Sequence, residues 1–193
     1  MRLVSCDDDG LAAVAAVLNG GGIAVIPTDT VYGLAARPDF PGAVERLFTA
    51  KGRDPAKPIA LLASGADAVS RFGYELSGEA ARLAAAHWPG ALSLVVGPDG
   101  LAECFRVPDH VWTWRLLAEC GGLLRVTSAN VSGRSPATDA AGALAEIGLS
   151  ADIVADGGVS PGGVPSTVAR VHPDGSVSVL RPGAVALAEG GKA

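Results

Sequence analysis

The chain is poor in the residues that staple a small fold or hold a metal through sulfur. Its 193 residues include three cysteines, Cys6, Cys104 and Cys120, an odd set with no C-x-x-C spacing. That argues against a disulfide framework and a thiolate zinc site, and it fits a reducing compartment. A basic excess is missing too. The formal charge is −5, which argues against a protein whose main business is wrapping nucleic acid. The longest apolar run, Leu11 to Leu18, is eight residues, far short of the ~20 that span a bilayer. Asp7, Asp8 and Asp9 stand where a signal peptide needs its apolar stretch, so a cytoplasmic location without a membrane partner is expected. There is no G-x-x-x-x-G-K-[ST] phosphate loop, no strand-GxGxxG-helix unit and no G-x-S-x-G elbow. His87, His110 and His172 lack metal-ligand spacing, and no protein-held metal is expected.

What is present is ordinary globular material, 49% hydrophobic and 18% charged, enough for an independent core in one domain. Asp9 can cap a helix over residues 10–18, closed by Asn19 and three glycines, before a buried strand in GIAVIP. A second helix runs from Asp39 and Pro41 to Ala50, and IALLA at 59–63 reads as a strand. Ser77 can cap a third helix, EAARLAAAHW, stopped by Trp88-Pro89-Gly90 before the strand ALSLVV. A strand at ECFRVP, a helix over Asp109 to Cys120, a strand at 123–128 and a helix from Thr138 to Ile147 follow, before ADIVA. STVARV and SVSVLR flank His172-Pro173-Asp174-Gly175 as a hairpin. The sum is about seven strands and four or five helices, an α/β architecture with a mixed sheet.

Three segments carry polar chemistry. Two of the three lysines fall within Lys51-Gly-Arg-Asp-Pro-Ala-Lys57, where Lys51, Arg53 and Lys57 could clamp a polyphosphate or form a solvated loop at a helix C-terminus. At a helix end, Lys51 and Arg53 are expected to be solvated and nearly neutral to stability. PTDTVYGL, Pro27 to Leu34, puts hydroxyls, a carboxylate and a phenol at a strand end, where α/β sheets bind ligands. Alternation along an extended segment would turn Thr28, Thr30 and Tyr32 to one side. Thr127-Ser-Ala-Asn-Val-Ser-Gly133 offers Ser128 and Asn130 on a shared side, with Thr138 opening the next helix.

Taken in order, PTDTVYGL, the K-x-R of Lys51 and Arg53 with Lys57-Pro58, WPG at 88–90, RVPDH at 106–110, TSANVSG, STV at 166–168 and LRPG at 180–183 resemble the YrdC-like L-threonylcarbamoyladenylate synthases. The resemblance spans Gly21 to Gly183. It implies a twisted open mixed sheet with flanking helices around a large basic cavity, in one domain over 1–185 with a tail at 186–193 and without the extra C-terminal domain of longer members. It also implies joining L-threonine, bicarbonate or carbon dioxide, and ATP with Mg2+ into threonylcarbamoyl-AMP and pyrophosphate, for modification of the adenosine beside the tRNA anticodon by a threonylcarbamoyl-transferase machinery. By motif position it assigns Thr30, Arg106, Ser128 and Ser166 to threonine, and Arg53, Lys57, Asn130, Thr138 and Arg181 to ATP. Lys51, Arg53, Ser128 and Asn130 form the family's K-x-R…S-x-N catalytic tetrad. Leu62 stands where the family usually has histidine, Ala102 where it often has a nucleotide-contacting threonine, and GGLL at 121–124 replaces Gly-Pro-Leu. Two alternatives remain open at this stage: an RNA-binding module for tRNA or duplex RNA, and a nucleotide-binding paralogue with a carbamoyl-transfer or regulatory role.

Overall fold

The computed structural model describes residues 1–187; positions 188–193 of the expected tail lie outside the described residues. The chain opens with a strand absent from the sequence expectation, β1 (Arg2–Ser5). Helix α1 (Asp8–Asn19) is capped by Asp7, not Asp9: the Asp7 carboxylate accepts from Gly10 N at 2.8 Å. Gly10 sets this register, because a Cβ there would lie 1.8 Å from the Ser5 carbonyl oxygen. Leu11, Val14, Ala15 and Leu18 form the buried stripe of α1 at helical spacing.

Then follow β2 (Ala24–Ile26), β3 (Gly33–Ala36), α2 (Pro41–Lys51), β4 (Leu61–Ala63), α3 (Ala66–Arg71), α4 (Gly78–His87), β5 (Leu92–Val96), β6 (Glu103–Arg106), α5 (Val111–Glu119), β7 (Leu123–Ser128), α6 (Ala140–Ile147), β8 (Ile153–Asp156), β9 (Thr167–Val171) and β10 (Val177–Arg181). Pro41 starts α2, and Gly52 at φ 56° ends it in the left-handed conformation. Ser77 precedes α4 as expected, but its hydroxyl makes no capping bond. α6 is capped by Asp139, whose carboxylate accepts from Gly142 N at 2.7 Å, so Thr138 stands outside the helix that it was expected to open.

Among the described residues, ten strands form one mixed sheet in the order β1-β8-β2-β3-β7-β4-β6-β5-β9-β10. The two additions to the expectation are β1 and β3, and α3 is likewise new. Strand alternation sorts the helices onto two faces. Leu61 and Ala63 pack with α3 and α4, and Val25 and Leu34 pack with α2 and α6. On the opposite face, Ala24, Ile26 and Leu124 pack with α1 and α5. That face continues through β4, β6, β5 and β9, where Leu62, Cys104, Arg106, Ser93, Val95 and Val168 line a cavity.

Candidate active site

The cavity has a volume of about 390 Å3. Four arginines, Arg53, Arg106, Arg134 and Arg181, line it, with no aspartate or glutamate among its lining residues. Each reaches the lining by a different local device.

Arg106 ends β6 and is 6% exposed. Its Nε donates to Gly90 O at 2.8 Å, one terminal nitrogen donates to Thr30 Oγ1 at 2.8 Å, and the other is bonded to the Asp29 carboxylate. The WPG turn thus supplies a carbonyl that holds the guanidinium in plane. Burial pushes the Arg106 guanidinium below its usual value, while Asp29 pulls it back.

Arg181 comes from a bulge. Val177 pairs with Val171 and Val179 with Ala169, after which Arg181, not Leu180, pairs with Val168. Two residues of β10 therefore oppose one of β9, and both Leu180 and Arg181 line the cavity beside Val168. Arg181 then donates to Ser166 O at 2.7 Å and Ser166 Oγ at 3.2 Å, and Ser166 Oγ lies 2.9 Å from Ser93 Oγ.

Lys51 corrects the sequence expectation of a solvated helix end. It is 2% exposed, and its ammonium donates to the carbonyl oxygens of Ser128 and Asn130, with Ser128 Oγ at 3.4 Å and Asn130 Oδ1 at 3.5 Å. Its own carbonyl accepts from Ser132 N at 2.9 Å. The K-x-R and S-x-N segments are thus joined through a cation that is not itself among the lining residues. Burial first, then Arg53, lowers its pKa to about 8. The Asn130 amide donates to Val131 O at 2.9 Å and Arg134 O at 2.8 Å. This folds the loop so that Arg134 joins the lining.

Arg53 lines the cavity and donates to Lys57 O and Pro58 O, both at 2.9 Å. Burial and nearby Arg181 lower its pKa. Lys57 itself is exposed, and Thr138 offers its carbonyl to Ser160 N at 2.7 Å; neither is among the lining residues. Thr30, Ser128, Asn130, Ser166 and Arg181 all are. Leu62 is among them too, paired with Arg106 across β4 and β6. Ala102 is not, whereas Cys104 two residues later is. Burial pushes the Cys104 thiol up to about 12, so it stays protonated and is no nucleophile.

Residues 29–31 bend instead of extending, yet Thr28, Thr30 and Tyr32 all line the cavity. The two threonine hydroxyls meet at 3.0 Å, while the Tyr32 hydroxyl donates to Gly158 O at 2.7 Å and accepts from Gly157 N at 3.0 Å. Sequence reasoning missed Asp29, Ser93 and Arg134. Asp29 lies between the two threonines of the singled-out segment and Arg134 just beyond TSANVSG, so proximity was the available signal. Ser93 had none.

The Sua5/YciO/YrdC family profile, described as telomere recombination, matches residues 16–183. A curated relative from Mycobacterium leprae is 35% identical over 93% of this chain and 85% of its own. A threonylcarbamoyl-AMP synthase from Chromohalobacter salexigens is 34% identical over 83% of this chain and 91% of its own. The crystal structure of Pyrococcus abyssi Sua5 complexed with L-threonine superposes with a TM-score of 0.85 at 27% identity, over 95% of this chain and 58% of that one. A single mixed sheet with flanking helices, the ordered motifs and these matches together place the chain in the Sua5/YciO/YrdC family.

Proposed function

We propose that this chain joins L-threonine, bicarbonate or carbon dioxide, and ATP into threonylcarbamoyl-AMP and pyrophosphate. The observation that carries this is the convergence of Thr30, Arg106 and Ser166 with Arg53, Ser128, Asn130 and Arg181 on one cavity, from segments scattered along the chain. Relatives named threonylcarbamoyl-AMP synthase and the threonine complex of Pyrococcus abyssi Sua5 support the same reading.

In this reading Arg106, Thr30 and Ser166 hold the amino acid, with Ser128 beside them. Carbon dioxide adds to the threonine amine, a carbamate oxygen attacks the α-phosphorus, and pyrophosphate leaves in line with the attack. The step needs positioning and offset of phosphate charge, and no covalent side-chain nucleophile. Arg53, Arg181 and the unforeseen Arg134 offset that charge, with Asn130 beside them. Lys51 acts from beneath, by fixing the Ser128 and Asn130 backbone. Lys57 and Thr138 would reach ATP only from outside the present lining.

Among the described residues no three His, Cys, Asp or Glu side chains gather as a metal site, and the lining has no carboxylate. In this reading Mg2+ enters with ATP as part of the substrate, and no step is assigned to a protein-held ion. The product passes to the transferase machinery that modifies the adenosine beside the tRNA anticodon. The described residues contain no helix long and apolar enough to cross a membrane.

The test is pyrophosphate release from Mg-ATP and bicarbonate with and without L-threonine. Release that depends on threonine is the expected result; equal release without it would sink the assignment.

A further inference from the structure

The turn at Asp29 and Thr30 is held from two directions. Through their side chains, the Asp29 carboxylate is bonded to the Arg106 guanidinium and Thr30 Oγ1 accepts from it at 2.8 Å. Through their backbone, the two residues meet the loop between β8 and β9: Asp29 O accepts from Gly162 N at 3.1 Å and Thr30 O from Gly163 N at 2.9 Å. Thr30 is 2% exposed, so its carbonyl needs a protein partner, and the loop supplies one.

The approach is backbone on backbone. A Cβ on Gly162 would lie 2.6 Å from Asp29 O and 3.1 Å from Thr30 Cα, so even alanine forces the two segments apart. The loop is also tied on both sides of this contact. Before it, the Tyr32 hydroxyl bonds Gly157 N and Gly158 O, and Ser160 N donates to Thr138 O at 2.7 Å. After it, Ser166 is held by Ser93 and Arg181. A displacement made at Gly162 therefore falls on the turn, and through the turn on Arg106. Gly158 differs: no atom of the described residues lies within 4 Å of its Cβ position.

We propose that Gly162 is a positioning residue for amino-acid binding: its bare backbone clasps the Asp29–Thr30 turn and so fixes Thr30 and Arg106 for the substrate. The same loop runs on into Pro165 and Ser166, which line the cavity, so one segment sets both sides of the amino-acid corner. The proposal rests on the reading of the cavity as an L-threonine site, and its failure is separable from that reading's failure.

Steady-state pyrophosphate release is measured on the full chain with Mg-ATP and bicarbonate. In the wild type, dependence on L-threonine tests the functional reading alone. Given that dependence, Gly162→Ala raises KM for L-threonine roughly tenfold, the worth of one charge-assisted hydrogen bond, and leaves KM for Mg-ATP unchanged. Gly158→Asn puts a side chain that tolerates the local φ of 77° into open space on the same loop, and leaves both KM values unchanged. An unchanged KM for L-threonine in Gly162→Ala overturns the proposal. So does a KM for Mg-ATP that rises by the same factor, or a Gly158→Asn enzyme impaired as much as Gly162→Ala. Where Gly162→Ala does not fold, amide hydrogen exchange of the wild type decides. Saturating L-threonine slows exchange at Gly162 and Gly163 more than at Gly175, whose N–H is bonded to His172 O in the β9–β10 hairpin. Equal slowing at all three, or none at Gly162 and Gly163, overturns the proposal.

Discussion

Lys51 Nζ lies 2.5 Å from the carbonyl oxygen of Asn130, a residue 79 positions away in sequence. One buried ammonium thereby ties the end of α2 to the loop after β7, and the two halves of the tetrad act as one unit. Truncating Lys51 leaves the Ser128 and Asn130 carbonyls without that donor.

Lys51→Met is therefore expected to destabilise the fold by about 1–3 kcal/mol, the cost of leaving the Asn130 carbonyl unpaired, while the Ser128 carbonyl keeps its bond from Asn130 N. For a chain of this length that lowers Tm by several degrees, roughly 2–4 °C per kcal/mol. Thermal unfolding checks this; an unchanged Tm would mean that the clip carries no stability.

The buried Arg106–Asp29 pair has side chains 7% and 12% exposed. Asp29→Ala strands the guanidinium charge and is expected to cost about 3–5 kcal/mol, more than the same change in an exposed, solvent-screened pair such as Arg71–Asp67. Denaturant unfolding of the two Asp→Ala variants compares them directly. Equal effects would contradict the ranking.

How much of this was legible in the sequence follows from what each element depends on. The helix at α1, the apolar run of β7 and the Pro41 and Gly52 ends of α2 are local signals, and they read correctly. β3, the segment GLAA, carries no β-branched residue, and it is a strand only because β2 and β7 pair on either side of it. Three consecutive aspartates made the cap of α1 ambiguous until the contact of Gly10 with Ser5 settled it. At the site, motif order brought the right residue types together. The burial of Lys51 and the Asp29–Arg106 pair depend on contacts 77 or more positions apart, and no local pattern marks the bulge that aims Arg181.

His110 caps α5 with a neutral ring nitrogen: Nδ1 accepts from Thr113 N at 3.3 Å, and burial lowers its pKa from 6.5. Below pH 6.5 the unfolded chain binds a proton that the folded one resists, so stability from this group falls as pH drops from 6.5 toward the folded value. His110→Asn keeps a capping oxygen and should flatten that part of the stability profile, measured by melting from about pH 7.5 to 5. An identical slope in both proteins would assign the pH dependence elsewhere.

Leu62 gives the cavity an apolar wall beside Arg106. Leu62→His adds a group able to bond the substrate and is expected to tighten L-threonine binding several-fold, about 0.5–1.5 kcal/mol, and to widen the preference over L-valine. Calorimetry with both amino acids is the check. Unchanged affinities would place Leu62 outside the amino-acid pocket.

The central claim is that one cavity joins the amino acid and the nucleotide through a carbamate. Mass spectrometry of the protein with Mg-ATP, L-threonine and 13C-bicarbonate tests it most directly. The account predicts an adenylate carrying threonine and one labelled carbon, formed in step with pyrophosphate. An adenylate without the label, or ATP cleavage that yields no threonine adduct, would contradict it.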